Sequence, residues 1–253
     1  MENQDKKFAL LIDGDNIGSQ YIKIIMDEIT KEGTITYKRI YGDWTKPDLG
    51  KWKEILLDHS ITPVQQYAYT TGKNATDSAM IIDAMDILYT QKVDGFCLAS
   101  SDSDFTKLAA RLREAGMVVI GMGKKQTPRP FVAACSMFKY IDIISDEEES
   151  KNSKTAEKQG AKQVASSQQK AEQEIQKYIQ KMISENSEDD GWMLVSRLGS
   201  LLQKKYPDFD PRNFGEKKLV DVLEKWKFET KAFQDPNNKQ NPSGMIMFVR
   251  NRV

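Results

Sequence analysis

The sequence predicts an α/β fold, a mostly parallel sheet with helices on both faces, followed by a small C-terminal winged helix-turn-helix domain. Three observations carry this. From residue 8 to residue 144, short apolar runs alternate with stretches of helical periodicity, which implies a parallel sheet covered on both sides. After residue 145 comes a stretch with almost no large apolar residue. Helical periodicity then returns and ends in two apolar segments separated by a Gly/Pro/Asn-rich loop.

Taken in order, Phe8 to Ile12 is a continuous apolar run ending at Asp13-Gly14-Asp15, as expected of a buried parallel strand. Tyr21 to Ile29 carries helical spacing, Ile35 to Tyr41 alternates as a strand, and Leu49 to Leu57 reads as a helix. A third strand is expected at Thr62 to Tyr69, a helix at Asp77 to Tyr89 and a fourth strand at Gly95 to Ala99. Phe105 to Ala115 is a helix and Met117 to Met122 a fifth strand. Gly121 to Pro130 reads as a mobile loop. Ser145 to Lys170 holds the acid run Asp146-Glu147-Glu148-Glu149 and then Lys, Gln, Ser and Ala, which cannot bury enough surface to offset ordering entropy. The expected division is therefore 1–145, a flexible linker at 146–170, and 171–253. In the last part Ile175, Ile179 and Ile183 recur every fourth residue, Trp192 to Lys205 and Phe214 to Trp226 are further helices, and Asp235 to Gly244 is the tip of a hairpin.

Composition permits a core, with 39% hydrophobic residues, but offers no global basic field, since Lys+Arg and Asp+Glu both number 37. Any nucleic-acid contact must come from local patches. The two cysteines, Cys97 and Cys135, have no metal-ligand spacing and read as buried reduced thiols. The N-terminal apolar stretch is too short for a signal peptide and no run spans a membrane, so a cytoplasmic protein with no membrane partner is expected.

The acids carry the chemistry. In a parallel sheet, ligands gather beyond the carboxyl ends of the strands. Asp13 and Asp15 follow the first strand, Asp102 and Asp104 the fourth, and Asp77 opens the helix after the third. Each alone is ordinary turn or cap chemistry. Together they are costly unless a hard cation neutralises them, and such a cluster suits Mg²⁺ or Mn²⁺. Zn²⁺ is not indicated, because His59 is the one histidine and has no partner at zinc spacing. Lys124, Lys125 and Arg129, after the fifth strand, lie on the same edge and either hold an RNA backbone or belong to a solvated surface loop. Trp44, after the second strand, either stacks on a base or packs beneath its loop. In the C-terminal part, Asp210-Pro211 reads as a helix entry with Arg212, Lys217 and Lys218 near its first turn, a candidate RNA contact or a solvated face.

Leu11-Ile12-Asp13-Gly14-Asp15-Asn16-Ile17, Gly72-Lys73 with Asp77 and Asp83-Ala84, and Ser100-Ser101-Asp102-Ser103-Asp104-Phe105 resemble, in that order, the motifs of the NYN domain, the LabA-like branch of the PIN-like nuclease superfamily. The resemblance covers about residues 6–145 and implies a PIN-like Rossmannoid sheet. It implies Asp13, Asp77 and Asp102 as metal ligands, with Asn16 and Asp104 placing a ligand or a water. Asp83 also matches, but lies about 240° round the helix from Asp77 and is expected to support the helix instead. Ser101 stands where the family often has Gly. Val195 to Leu202, Phe214-Gly215 and Lys217-Lys218-Leu219 resemble the OST-HTH (LOTUS) domain over about residues 171–250, which implies RNA binding or, in some members, a protein partner.

The expected function is thus a Mg²⁺- or Mn²⁺-dependent endoribonuclease with RNA as its partner, a homodimer and a protein partner of the C-terminal domain being left open. A non-catalytic RNA- or protein-binding adaptor on the same fold is the alternative. Asp13-Gly14-Asp15 also looks like the start of a haloacid dehalogenase phosphatase, but Ile17 stands where that family expects Thr or Val.

Overall fold

A strand with five consecutive apolar residues is stable only when both of its faces are covered. That is the place Phe8 to Ile12 takes. The computed structural model describes residues 5–67, 75–152, 165–187, 190–234 and 245–252. The chain divides into two units, Met1–Glu149 and Ser150–Val253.

In the first unit, β1 (Lys7–Asp13), α1 (Ile22–Thr30), β2 (Thr34–Gly42), α2 (Gly50–Lys53), β3 (Thr62–Gln65), α3 (Ala75–Tyr89), β4 (Gly95–Ala99), α4 (Thr106–Glu114), β5 (Val118–Gly123), α5 (Arg129–Ala134), β6 (Met137–Tyr140) and α6 (Ile141–Asn152) follow one another. The six strands pair in the order β3-β2-β1-β4-β5-β6, every pair parallel. Alternation along β1 sends Phe8, Leu10 and Ile12 to one face, where they pack with Ile22, Ile25 and Ile29 of α1. Ala9 and Leu11 go to the other face, with Met80, Ala84 and Ile87 of α3 and Leu108 and Leu112 of α4. Both cysteines are free and fully buried, and burial pushes the Cys135 thiol up to about 12.

Several expectations change here. The sheet has a sixth strand, and α5 precedes it. Gly121–Gly123 closes β5 and Arg129 opens α5, so the expected mobile loop shrinks to Lys124 to Pro128. That remainder is a tight turn, with Thr127 donating from both its amide (2.9 Å) and its hydroxyl (2.6 Å) to the Lys124 carbonyl. The expected helix Leu49–Leu57 is the short α2 flanked by turns, pinned where the buried Trp52 donates its indole N–H to the Ile17 carbonyl at 3.2 Å. The acid run expected at the start of a linker lies within α6, and α7 (Ala165–Asn186) covers the end of that stretch. Glu, Lys, Gln and Ala favour helix even where they bury little. Residues 153–164, between the two, lie outside the described residues, as does the Ala68-Tyr69 end expected for the third strand.

In the second unit, α7 is followed by β7 (Met193–Leu194), α8 (Val195–Lys205), α9 (Leu219–Lys225), β8 (Glu229–Gln234) and β9 (Met245–Arg250). The strands form an antiparallel sheet in the order β7-β9-β8. Ile175, Ile179 and Ile183 line the core as their spacing predicts, with Leu198, Leu202, Leu223 and Val249. The segment after Asp210-Pro211 is not one helix. A 3-10 turn, Pro211–Phe214, stops at Gly215, whose φ of 76° breaks the run, and α9 begins at Leu219. Among the described residues no helix is long and apolar enough to cross a membrane.

Candidate active site

The strand order reverses direction about β1: β2 and β3 lie on one side of it, β4, β5 and β6 on the other. A crevice therefore opens beyond the carboxyl ends of β1 and β4, where the backbones part. Asp13 ends β1. The next residue must turn hard against β2: the Gly14 amide donates to the Tyr41 carbonyl at 2.8 Å, and a Cβ on Gly14 would meet that oxygen at 2.9 Å. No larger residue fits without a shift.

Asp13 is 3% exposed and accepts from the Ser100 hydroxyl at 2.8 Å. Burial raises its pKa to about 6; the Ser100 bond pulls it down, and the charges of Asp77, Asp15 and Asp102 push it further up. Ser100, itself fully buried, also accepts the Asp102 amide at 3.0 Å, so one hydroxyl joins the two acid-bearing strand ends. Asn16 accepts the Ser101 amide through its side-chain oxygen at 3.0 Å. Ser101 has a use for its hydroxyl, which accepts the Lys124 amide at 2.8 Å and ties the β5 turn to the β4 end.

Asp102 caps the 3-10 turn Ser103–Phe105 by accepting the Asp104 amide at 2.9 Å. Its cap role and a ligand role are compatible, because that bond uses one carboxylate oxygen and leaves the other. Asp77 lies in the first turn of α3, and its pKa is raised by burial and then by Asp102, Asp104 and Asp15. Carboxylate oxygens of Asp77, Asp102 and Asp104 all lie within 4.8 Å of one another. Asp104, expected to place a ligand or a water, thus belongs to the trio found among the described residues, and Asp13, expected as a ligand, is the buried neighbour coupled to it by charge. Asp15 accepts from Thr76 at 2.9 Å and pairs with Lys46 at 3.4 Å.

The trio fits a hard divalent cation. Its donors are all carboxylate oxygens, it contains no His or Cys, and like charges in close quarters already disfavour ionisation of Asp77. Mg²⁺ and Mn²⁺ share that preference.

The remaining candidates fall in several places. Asp83 takes hydrogen bonds from Arg39 and from the Tyr41 hydroxyl, which raises the Tyr41 pKa together with burial, and so braces α3 against β2 as its position round the helix predicts. Trp44 packs against the core and donates its indole N–H to the Val64 carbonyl at 3.1 Å, so its ring belongs to the loop. Lys124 lines a cleft of about 280 Å³ with Asp15, Asn16, Gln20 and Lys51. Lys51 was not singled out by sequence; its only signal is a place in the helix after the second strand. Lys125 is anchored by its amide to both oxygens of Asp142, at 3.1 and 2.9 Å, and Arg129 is the first residue of α5. In the second unit Arg212 is clamped by Asp210 (2.6 and 3.0 Å), while Lys217 and Lys218 are exposed between the 3-10 turn and α9. The three cations therefore belong to a broken turn and not to the first turn of one helix.

A family model for the NYN domain matches residues 7–144, and one for the OST-HTH/LOTUS domain matches residues 167–235. Among solved structures, a protein of unknown function from Vibrio parahaemolyticus is similar, with 18% identity and a TM-score of 0.45, covering 55% of this chain and 94% of that one. No curated protein sequence matches.

Proposed function

The chain belongs to the NYN domain family and carries an OST-HTH/LOTUS domain, and from this premise we propose that it is a metal-dependent endoribonuclease with an RNA-holding C-terminal domain. The observation that carries the reading is the carboxylate trio Asp77, Asp102 and Asp104 at the switch-point crevice. These residues would hold Mg²⁺ or Mn²⁺, which when bound polarises a phosphodiester and activates water. The remaining residues of the site position these groups. Ser100 fixes Asp13 and the Asp102 backbone relative to each other. Burial raises the Asp13 pKa to about 6 in the metal-free chain, and a cation held beside it would favour its charged form, so Asp13 would add negative charge next to the trio. Asn16 and Ser101 lock the β1 and β4 turns together, and Lys124 and Lys51 offer positive charge along the adjacent cleft to an RNA backbone.

A phosphatase with Asp13 as nucleophile is disfavoured, because Ile17 stands where that family expects Thr or Val. The reading is tested by incubating labelled RNA with the full chain and Mg²⁺ or Mn²⁺. Cleavage should require the ion, stop with a chelator, and be lost in Asp102→Asn while RNA remains bound. Binding without cleavage under every divalent ion would favour the adaptor reading instead.

A further inference from the structure

In the second unit, the solvent face of the small sheet is unusually aromatic. Residues directly opposite in an antiparallel pair share a face. Lys231 pairs with Phe248, Phe233 with Ile246 and Glu229 with Arg250, so these six share one side. Val249, fully buried, and Met247 belong to the opposite side, which packs into the core. Among the described residues the outward side is only partly covered: Phe233 is 55% exposed, and Ile246 and Phe248 are half-buried. Trp192, just before β7, joins this face, with the Arg250 guanidinium 4.7 Å and the Lys231 ammonium 5.8 Å from its ring centre. Lys231 also lies 4.7 Å from the Phe233 ring, and Phe233 meets Phe248 edge-on at 6.2 Å. Between Asp190, Trp192, Lys231, Phe233 and Phe248 is a cleft of about 160 Å³. Asp190 accepts the Trp192 amide at 3.1 Å and Glu229 pairs with Arg250 at 2.6 Å, so both acids are engaged within the face.

We infer that this face holds single-stranded RNA by stacking unpaired bases against Trp192, Phe233 and Phe248, while Lys231 meets the adjoining phosphate and Arg250, held by Glu229, lies over the indole. The inference rests on the reading of the C-terminal domain as the RNA-holding part, and assigns the contact to residues other than Lys217 and Lys218. Aromatic rings interleaved with cations are the arrangement that grips unpaired bases, and a guanidinium lying over an indole extends the stacking platform. A cationic ligand such as a methylated ammonium would compete with Lys231 and Arg250, which already lie over these rings. A neutral apolar partner would bring no counter-charge to Lys231. An anionic chain with flat bases answers both features.

The test measures anisotropy of labelled single-stranded RNA with the full chain in metal-free buffer, across a salt series. Phe233→Leu and Trp192→Leu should each weaken binding roughly tenfold, and Phe233→Trp should restore it, because stacking needs a ring. The salt dependence of the Leu variants should stay as in the unmodified chain, since no phosphate contact is lost. An abasic chain of equal length should bind weakly to the unmodified protein and show no further loss in the Leu variants. Phe233 is exposed, and an unchanged melting temperature of Phe233→Leu separates lost stacking from lost fold. Equal affinity of both Leu variants and the unmodified chain overturns the inference, leaves RNA binding to another surface, and turns this face over to a protein partner. Failure of the unmodified chain to bind any RNA overturns the underlying reading as well.

Discussion

Asp13 is the residue at which stability and chemistry oppose each other. Its pKa is about 6 in the fold against 3.8 for an ordinary aspartate, chiefly because it is buried. Between those values the folded chain holds the proton that the unfolded chain has released, so the associated stability is present below about pH 4 and lost as pH rises through about 6. The full swing is at most about 3 kcal/mol. Asp13→Asn, which can still accept from Ser100, should therefore raise the metal-free melting temperature at about pH 7.5 and leave it nearly unchanged at about pH 4. A thermal melt at both pH values checks this; equal effects would remove burial of the charge as the cause. Mg²⁺ or Mn²⁺ should raise the melting temperature of the unmodified chain at neutral pH by mass action, and much less in Asp102→Asn. No shift with either ion would count against the trio as a binding site.

Lys139 shows how one strand is held to a helix across the first unit. It is 8% exposed on β6 and its ammonium reaches Glu28 of α1 at 2.9 Å and Glu32 at 3.0 Å. Burial lowers its pKa, but the two carboxylates outweigh that, and the net shift is upward. Lys139→Met removes the buried cation that Glu28 and Glu32 share and leaves Glu28, only 3% exposed, with Lys31 (2.5 Å) still paired to its other oxygen, and should cost about 2 kcal/mol in denaturant unfolding. Adding Glu28→Leu should recover most of that loss, because an apolar pair carries no desolvation penalty. This pair was not legible in the sequence, since its members stand 111 residues apart and β6 has four residues. What was legible is what long patterns encode. Gly95 to Ala99, uniformly apolar between polar turns, is a strand with those bounds, and Ile175, Ile179 and Ile183 reach the core their spacing implies. The acids were legible as a set because two pairs follow two strands. Which oxygens approach within coordinating distance depends on the 3-10 turn at Ser103–Phe105, which brings Asp104 into the trio and has no periodic signature. The same limit applied at Gly215, where one residue with positive φ splits an expected helix in two.

At the scale of the whole chain, each unit has its own core, built from residues on its own side of the division. We expect residues 1–152 and 165–253, expressed separately, each to melt cooperatively, the first carrying the cleavage activity and the second the RNA affinity. A second piece without a thermal transition would show that its core needs the first. The parallel sheet has a practical consequence. All six strands of the first unit run the same way, so their amino ends form a rim remote from the acids. Thr34 is exposed at the start of the nine-residue β2, roughly 30 Å of strand from its carboxyl end. Cys97 and Cys135 are both sealed in the interior. A maleimide dye should therefore attach to Thr34→Cys alone under native conditions, with no need to remove either natural thiol. Immobilised or labelled through that rim, the protein would keep its opposite edge clear for single-molecule observation of an RNA strand arriving and leaving.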